Sequence, residues 1–239
     1  MKKEAIIYGY QPVLEALKSG KEIEKLLLLK TLHPSKVQEL KKEATAMQVP
    51  FQFVPKEKLN KFTRQNHQGI VALASPISYV ELSQLLPMLF ESGKSPFLLA
   101  LDKITDVRNM GSIARSAECA GVDGLILPAK GSAQINAEAI KTSAGALTRL
   151  PVCRVSSLKG AISYMKDSGI NIIGTKENSE KVYHESDYTV PVAVVMGSEE
   201  KGISDELLDL CDNTVGIPIL GEIQSLNGSV ATGIILYEA

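Results

Sequence analysis

The sequence predicts an α/β protein of two units, and three features of the chain support this fold class. After residue 96, short continuous apolar segments alternate with amphipathic ones, as in a parallel sheet covered by helices on both faces. The first 75 residues instead hold short helical and strand-like segments in mixed order. Between them, the stretch 75–96 contains three prolines, scattered serines and one short amphipathic helix. We therefore predict a first domain over 1–75, a linker over 76–95 and a second domain over 96–239.

Five elements are predicted in the first domain. The spacing of apolar residues predicts a helix near Val13–Lys18 and another over Ser35–Met47. Strand-like runs occupy Leu26–Leu29, Val49–Val54 and Gly69–Ala74. Together these elements predict a small α/β module of mixed order.

The second domain is predicted to contain at least five strands, each a continuous apolar run. They are FLLALD at 97–102, GLILP at 124–128, VCRV at 152–155, INIIGT at 170–175 and VAVVMG at 192–197. With a helix over Met110–Ala120, this spacing alone predicts a Rossmann-like parallel sheet. Ligand sites of such sheets lie at the carboxyl ends of the strands. The unusual polar and glycine residues follow these ends, at 102–109, 174–175, 197–202 and 217–227.

Charge is unevenly distributed along the chain. The 239 residues carry a net charge of −1, yet residues 1–75 hold 13 Lys and Arg against 7 Asp and Glu, a net +6. The remainder holds 13 against 20, a net −7. A basic module of this kind can attract phosphate backbones, although a solvated lysine-rich surface is the simpler interpretation of charge alone.

Composition narrows the class of protein. With 44% apolar and 22% charged residues the chain is expected to fold rather than remain disordered. No apolar run reaches the roughly 18 residues of a membrane span, and the first residues lack a secretory pattern, so a cytoplasmic protein without a membrane partner is expected. The three cysteines and three histidines are too scattered for a metal cluster, and no metal is expected.

Several common enzyme motifs are missing from the strand ends. No GxGxxG follows a predicted strand, which disfavours a nicotinamide dehydrogenase. The glycines Gly197 and Gly202 have the spacing of a phosphate-binding loop, but Ile203 stands where that loop needs lysine. There is also no GxSxG, which disfavours a serine hydrolase.

Three segments in the second domain together resemble a known family. They are LDKITDVRNMGSIARSAECAGVDGLIL at 101–127, VVMGSEEKGIS at 194–204 and VGIPILGEIQSLNGSVATGIILYE at 215–238. Their order and spacing are similar to the three signature motifs of the SpoU family of SPOUT-class RNA ribose 2'-O-methyltransferases. IYGYQPVLEAL at 7–17 and NHQGIVA at 66–72 resemble the substrate-binding domain of one branch, whose best-known member methylates a guanosine of bacterial 23S ribosomal RNA.

The resemblance implies a fold that periodicity could not suggest. The first domain would be an L30e-like α/β substrate-binding domain. The second would be a methylase domain whose parallel sheet ends in a deep trefoil knot, a feature nearly absent from other proteins. Two such knots would pack together in a homodimer, with RNA as the substrate. The cofactor would be S-adenosylmethionine, bound by Gly197, Ile217 and Leu226 largely through backbone groups, with Thr175 as a weaker candidate.

The resemblance also implies roles for five polar residues. Arg115 would engage the phosphate of the target nucleotide or activate its ribose hydroxyl, by electrostatics rather than as a base, because guanidinium stays protonated. Asn109 would orient its loop, and Glu199 would hold Asn109 or Arg115. Ser225 and Asn227 would bond the ribose or cap the last helix, since both residue types are favoured at N-caps.

Three positions depart from the family pattern, and two alternatives stay open. Val107 replaces a common proline, Ile219 a frequent methionine, and Gly228 a common valine. The glycine has an expected cost of about 1 kcal/mol in the last helix.

One alternative to a ribosomal RNA methyltransferase is a tRNA ribose 2'-O-methyltransferase, which commonly lacks the N-terminal domain. The other is a non-catalytic RNA-binding or ribosome-assembly factor on the same fold.

Overall fold

A computed structural model describes residues 5–223 and 225–239, and the chain divides into two compact units. The first unit comprises the residues up to Ser78 together with Ile135–Ala137. The second comprises Tyr79–Gln134 and Glu138–Ala239.

The first unit is a four-stranded mixed sheet with helices. Its elements are β1 (Ile6–Tyr8), α1 (Tyr10–Lys18), β2 (Ile23–Leu29), α2 (Pro34–Ala46), β3 (Phe51–Val54), α3 (Lys56–Asn60) and β4 (Ile70–Ala74). The strand order is β1-β4-β2-β3, with β4 antiparallel to β1 and β2, and β2 parallel to β3. Because β2 and β4 are central, both of their faces are buried, which explains the continuous apolar runs LLLL and IVAL. The five predicted elements are present, and β1 and α3 are additional.

The second unit is built on a seven-stranded sheet in which every pair of neighbouring strands is parallel. Its strands are β5 (Phe97–Leu101), β6 (Gly124–Pro128), β7 (Val152–Val155), β8 (Asn171–Thr175), β9 (Lys181–Val182), β10 (Val192–Met196) and β11 (Asn213–Gly216). Its helices are α4 (Leu82–Glu91), α5 (Val107–Cys119), α6 (Ala137–Thr142), α7 (Leu158–Asp167), α8 (Asp205–Leu208) and α9 (Gly228–Glu238). Short 3₁₀ turns lie at Ala146–Thr148 and Tyr183–Glu185. The predicted parallel sheet is therefore confirmed.

The strand order β7-β6-β5-β10-β8-β11-β9 brings loops that are distant in sequence together at the carboxyl ends of the strands. Strand β10 lies between β5 and β8, with Met196 beside Leu101 and Val195 beside Gly174. Val215 of β11 in turn lies beside Thr175 of β8. Because the strands are parallel, the segments that follow β5, β8, β10 and β11 all begin at the same end of the sheet, where the carboxyl ends of the strands lie.

From Tyr79 onward, the segment 76–95 predicted as a linker lies in the second unit and contributes to its core. Its helix α4 buries four leucines in the cluster that also contains the sheet residues Leu98 and Ala100. These leucines are Leu82, Leu85, Leu86 and Leu89. Among the described residues, no helix is long and apolar enough to cross a membrane.

Candidate active site

The site lies at the carboxyl edge of the parallel sheet, where two helices begin close to one turn. Helix α5 follows β5, and its first turn is fixed by the N-cap Asp106, whose side chain accepts hydrogen bonds from the backbone N–H groups of Arg108 and Asn109. Helix α9 is capped by Asn227, whose Oδ1 accepts from the backbone N–H of Ser229 at 3.0 Å. Because α5 and α9 pack against each other, the caps also fix where Asn109 and Asn227 stand.

A single carboxylate oxygen joins the three sequence motifs. Oε1 of Glu199 accepts hydrogen bonds from Nδ2 of Asn109 at 3.0 Å, from Nδ2 of Asn227 at 2.6 Å and from the backbone N–H of Gly228 at 2.7 Å. Nδ2 of Asn227 also approaches Oδ1 of Asn109 at 3.3 Å. Hydrogen bonds to a carboxylate are stronger than those between neutral groups, so Glu199 holds both amides in fixed orientations. We call Asn109, Glu199 and Asn227 the carboxylate junction.

The turn that carries Glu199 is tight and depends on glycine. Ser198 and Gly202 exchange two backbone hydrogen bonds, of 3.1 and 2.8 Å. A Cβ on Gly197 would overlap the backbone of Gly202 and Ile203, and Gly202 has a φ of +64°, in the left-handed region. Only glycine at both positions leaves this turn unstrained.

Beside the junction lies a cavity of about 740 Å³. It is formed by the segments after β8, β10 and β11 together with the start of α9. Its lining includes all four residues predicted to contact the cofactor, as well as Ser225 and Glu199; the four are Thr175, Gly197, Ile217 and Leu226. The hydroxyl of Thr175 donates to the backbone carbonyl of Val195 at 3.1 Å, which ties β8 to β10 at the cavity wall.

Arg115 stands apart from the carboxylate junction. It lies six residues after Asn109 on α5, and at 100° per residue the two side chains point from different faces of the helix. Arg115 is exposed, and no residue in the described ranges forms a hydrogen bond or ion pair with it. The same helix carries two outward ion pairs, Arg108 with Glu138 and Glu118 with Arg149.

Gly228 occupies a different position from the one expected. It is the first residue of α9 rather than an interior one, so the penalty expected for glycine inside a helix does not apply there. A Cβ at this position would lie 3.2 Å from Cγ of Glu199, tighter than an ordinary contact. The glycine therefore gives Glu199 room to accept the backbone N–H of Gly228.

Sequence reasoning missed three supporting residues. Asp106 caps α5, and an aspartate three residues before Asn109 at a helix start was the available signal. Ser229 donates its hydroxyl to Oδ1 of Asn227 at 2.6 Å. Asp102, buried at the end of β5, accepts from the backbone N–H of Ser204 at 2.9 Å and so anchors the segment after the Glu199 turn. Within the described part of the chain, no group of three or more metal-binding side chains is assembled.

Two family models match the chain, one for each part. The SpoU rRNA Methylase family matches residues 96–237, and the RNA 2'-O ribose methyltransferase substrate binding family matches residues 6–80. A Staphylococcus saprophyticus protein named as a TrmH family tRNA/rRNA methyltransferase is 35% identical over 99% of this chain and 95% of its own. A Bacillus subtilis protein of the same description is 33% identical over 97% and 93%.

Two solved structures resemble this chain in fold over nearly its whole length. The rRNA methyltransferase from Sinorhizobium meliloti, in its AdoMet-bound form, gives a TM-score of 0.63 at 26% identity, covering 99% of this chain and 86% of that one. The SpoU methyltransferase AviRb from Streptomyces viridochromogenes, in complex with AdoMet, gives 0.61 at 26% identity, covering 99% and 89%. Fold, site and matches define the class of this protein as an RNA methyltransferase with a substrate-binding domain. The chain belongs to the SpoU rRNA methylase family.

Proposed function

We propose that this protein transfers a methyl group from S-adenosylmethionine to a ribose 2'-hydroxyl of ribosomal RNA in the cytoplasm, with a guanosine of 23S RNA as the preferred target. The observation that carries the proposal is the carboxylate junction, because it joins residues of all three motifs within hydrogen-bonding distance beside a cavity. The AdoMet complexes of the two structural neighbours support the choice of cofactor.

The cavity has the properties that such a cofactor needs. Its volume of about 740 Å³ lies within the roughly 300–1,000 Å³ range of small-molecule sites. Gly197 has no side chain, so its backbone groups line the cavity directly, and Ile217 and Leu226 add apolar side chains to the lining. We assign Gly197, Ile217 and Leu226 to the adenosine part through their backbone groups, and Thr175 to a supporting position in the wall.

The protein's own residues mainly align the two reactants. When bound, S-adenosylmethionine would supply a methyl group on a cationic sulfur; as the carbon–oxygen bond to the ribose formed, the carbon–sulfur bond would break, S-adenosylhomocysteine would leave, and the hydroxyl proton would pass to phosphate or solvent. Glu199 is a positioning residue that holds the amides of Asn109 and Asn227. Ser225 is exposed in the cavity wall, where its hydroxyl can bond the ribose. Alignment of the reactants in this way can supply a large part of the rate enhancement.

Arg115 is assigned to the phosphate of the target nucleotide. Its guanidinium cannot accept the proton, but it offers five donors to an anion, and it is exposed with no described partner. Because it stands apart from the carboxylate junction of its own protomer, we propose a homodimer in which the site draws on both subunits. The exposed apolar side chains of Leu220 (98%), Ile223 (80%) and Tyr237 (69%) support such a contact.

Two further features of the family are proposed for this chain. The tight passage at Gly197 and the insertion of β10 between β5 and β8 are consistent with a C-terminal segment threaded into a trefoil knot. The arrangement of α1, α2 and the mixed sheet is consistent with an L30e-like substrate-binding domain.

The alternative target is tRNA, since the names of the curated relatives include both RNAs. An Aquifex structure described as a TrmH/SpoU tRNA modifying enzyme is 32% identical with a TM-score of 0.54, but it covers only 66% of this chain. The match of residues 96–237 to the family described as SpoU rRNA Methylase supports ribosomal RNA as the first choice.

The test is methyl transfer by the purified protein with isotopically labelled S-adenosylmethionine. Ribosomal RNA and tRNA from cells lacking the gene serve as substrates, and the labelled nucleoside is identified after digestion. We expect a 2'-O-methylnucleoside in 23S RNA, and a loss of at least about 100-fold for Arg115→Ala. Label in tRNA alone would favour the alternative, and near-normal transfer by Arg115→Ala would show that its assigned role is wrong.

A further inference from the structure

A lysine lies over two aromatic rings at the edge of the first unit. Phe51 and Phe53 alternate with Gln52 on β3, so their rings share one face of the strand. The ring centroids are 6.4 Å apart at an interplanar angle of 83°. Lys41 of α2 places its ammonium nitrogen 5.2 Å from the centroid of Phe51 and 5.1 Å from that of Phe53. We call these three residues the aromatic platform.

The platform is both anchored and accessible. Phe51 is half-buried and packs against the core beneath α1 and α2, whereas Phe53 is 36% exposed. Among the described residues, strand β3 pairs only with β2, so it forms one edge of the sheet. An exposed ring on a rigid edge strand presents a flat apolar surface at little entropic cost, since its backbone is already ordered.

The charge around the platform favours an anion. No carboxylate in the described ranges forms an ion pair with Lys41, so its charge is uncompensated by a direct partner. A second lysine–aromatic contact of this unit differs: Lys36 lies 5.0 Å from the ring of Tyr10, but the Tyr10 hydroxyl donates to Glu39, which also pairs with Lys18 at 3.2 Å. The carboxylate of Glu39 therefore lies beside this second lysine–aromatic contact, where it would repel a phosphate.

We propose that the aromatic platform stacks an unpaired RNA base while Lys41 binds the adjoining phosphate. This inference rests on the proposed function, in which the substrate is RNA. A base in a duplex is already stacked on its neighbours, so only an unpaired one can offer its face to Phe53. Stacking of a base on an aromatic ring is stronger than an exposed cation–π contact. The base therefore displaces the ammonium of Lys41 from the rings, and the ammonium turns to the phosphate backbone.

The experiment measures binding of a fluorescein-labelled twelve-residue oligouridylate to the full-length protein by fluorescence anisotropy. We expect Phe53→Ala to weaken binding by about fivefold or more, because loss of one stacked base is worth at least that. Phe53→Trp should bind as tightly as the wild type or more tightly. The matched control is Gln52→Ala, an exposed side chain on the opposite face of the same strand, which should change affinity less than about twofold.

Lys41→Gln tests the phosphate contact separately. It should reduce the slope of log affinity against log salt by about 0.7, the value for one phosphate contact on a single strand. Thermal unfolding of each variant distinguishes loss of binding from loss of folding. If Phe53→Ala is unstable, Phe53→Leu is used instead, because it removes the aromatic ring but keeps an apolar side chain. A platform that only stabilises α2 on β3 would lower the melting temperature of Phe53→Leu and leave its oligouridylate affinity unchanged.

The outcomes also separate this inference from the proposed function. With ribosomal RNA as substrate, Phe53→Leu should raise KM and leave kcat unchanged. If the wild type methylates ribosomal RNA while Phe53→Leu and Lys41→Gln bind oligouridylate and ribosomal RNA as the wild type does, the platform is refuted and the function stands. If the wild type transfers no methyl group but the variants lose oligouridylate binding, the function fails and the platform stands. Wild-type protein that does not bind oligouridylate refutes the platform.

Discussion

The two units of this protein use their sheets in opposite ways. In the first unit a mixed four-stranded sheet exposes an edge strand with aromatic side chains, and residues 1–75 carry a net +6. In the second unit a parallel seven-stranded sheet has buried central strands and directs its loops to one edge, and the remaining residues carry a net −7. The near-zero charge of the whole chain is therefore the sum of two opposite charges, +6 and −7.

Under the proposed function, this difference corresponds to a division of work, with RNA binding in the first unit and chemistry in the second. Basic and aromatic side chains suit a polyanion with stacked bases, whereas the carboxylate junction organises neutral amides beside a cavity for a small molecule. The division predicts that changes at the junction alter methyl transfer and not RNA affinity, and that changes in the first unit do the reverse.

The largest effect is expected at Glu199. Glu199→Ala removes the acceptor of three hydrogen bonds, so Asn109 and Asn227 lose their shared orientation. We expect methyl transfer to fall at least about 100-fold, as small misplacements in an active site can cause. Single-turnover transfer to ribosomal RNA measures this. Glu200→Ala, the exposed neighbour, should stay within about twofold, and an equal loss of RNA affinity in Glu199→Ala would contradict the division.

The next effect is expected at Gly197. A Cβ there would overlap Gly202 and Ile203, so Gly197→Ala should lower the free energy of unfolding by about 2–3 kcal/mol. Calorimetry should also show S-adenosylmethionine binding weakened by about tenfold, because this turn lines the cavity. The matched control is Gly221→Ala, where a Cβ meets nothing within 4 Å and φ is not positive; it should change stability by less than about 0.5 kcal/mol. Normal behaviour of Gly197→Ala would argue against the tight passage.

Salt should distinguish the two binding events. If the first unit contacts two or three phosphates, raising the salt concentration fourfold should weaken oligouridylate binding about tenfold. Binding of S-adenosylmethionine in the second unit should change much less, because its contacts are assigned to backbone and apolar groups. Anisotropy and calorimetry in the same buffers measure both. Equal salt sensitivity would show that the units do not divide in this way.

The smallest effect is expected at Asp212, whose carboxylate accepts a hydrogen bond from the backbone N–H of Ile172 in β8. Burial raises the pKa of Asp212, but hydrogen bonds from Lys166 and the backbone N–H of Ile172, with the charge of Lys166, hold that pKa below its ordinary value of 3.8. A lowered pKa contributes stability above pH 4, and this contribution is lost as the pH falls through the folded-state pKa.

Lys166→Met should therefore destabilise the protein by less than about 1 kcal/mol at pH 7, since both side chains are about a third or more exposed. The difference between this variant and the wild type should shrink below pH 4. Urea unfolding at several pH values measures it, with Lys159→Met, an exposed lysine on the same helix, as the control. A difference in the free energy of unfolding that grows as the pH falls would contradict the lowered pKa assigned to Asp212.

Sequence reasoning predicted the strands of the second unit well because burial on both faces leaves a plain apolar signature. FLLALD, GLILP and VAVVMG correspond to β5, β6 and β10 within a residue or two. It missed β9 and β11, which are short and half-polar, since such strands depend on pairing with a neighbour rather than on their own pattern.

The candidate site was only partly predictable. The resemblance implied that Glu199 would hold Asn109 or Arg115, and Glu199 pairs with Asn109; that Asn227 meets the same oxygen depends on the insertion of β10 between β5 and β8, which no local pattern encodes. The separate face of Arg115 follows from a six-residue spacing on a helix and could have been derived. The room that Gly228 leaves for Glu199 could not, because it arises from a contact between distant segments.

The central claim is that the carboxylate junction serves ribose methylation of ribosomal RNA. Mapping of 2'-O-methylation across ribosomal and transfer RNA, in cells with the gene, without it, and with only Glu199→Ala, tests this most directly. We expect that one ribosomal 2'-O-methyl group disappears without the gene, returns with the wild type and does not return with Glu199→Ala. An unchanged map, or a loss confined to tRNA, would contradict it.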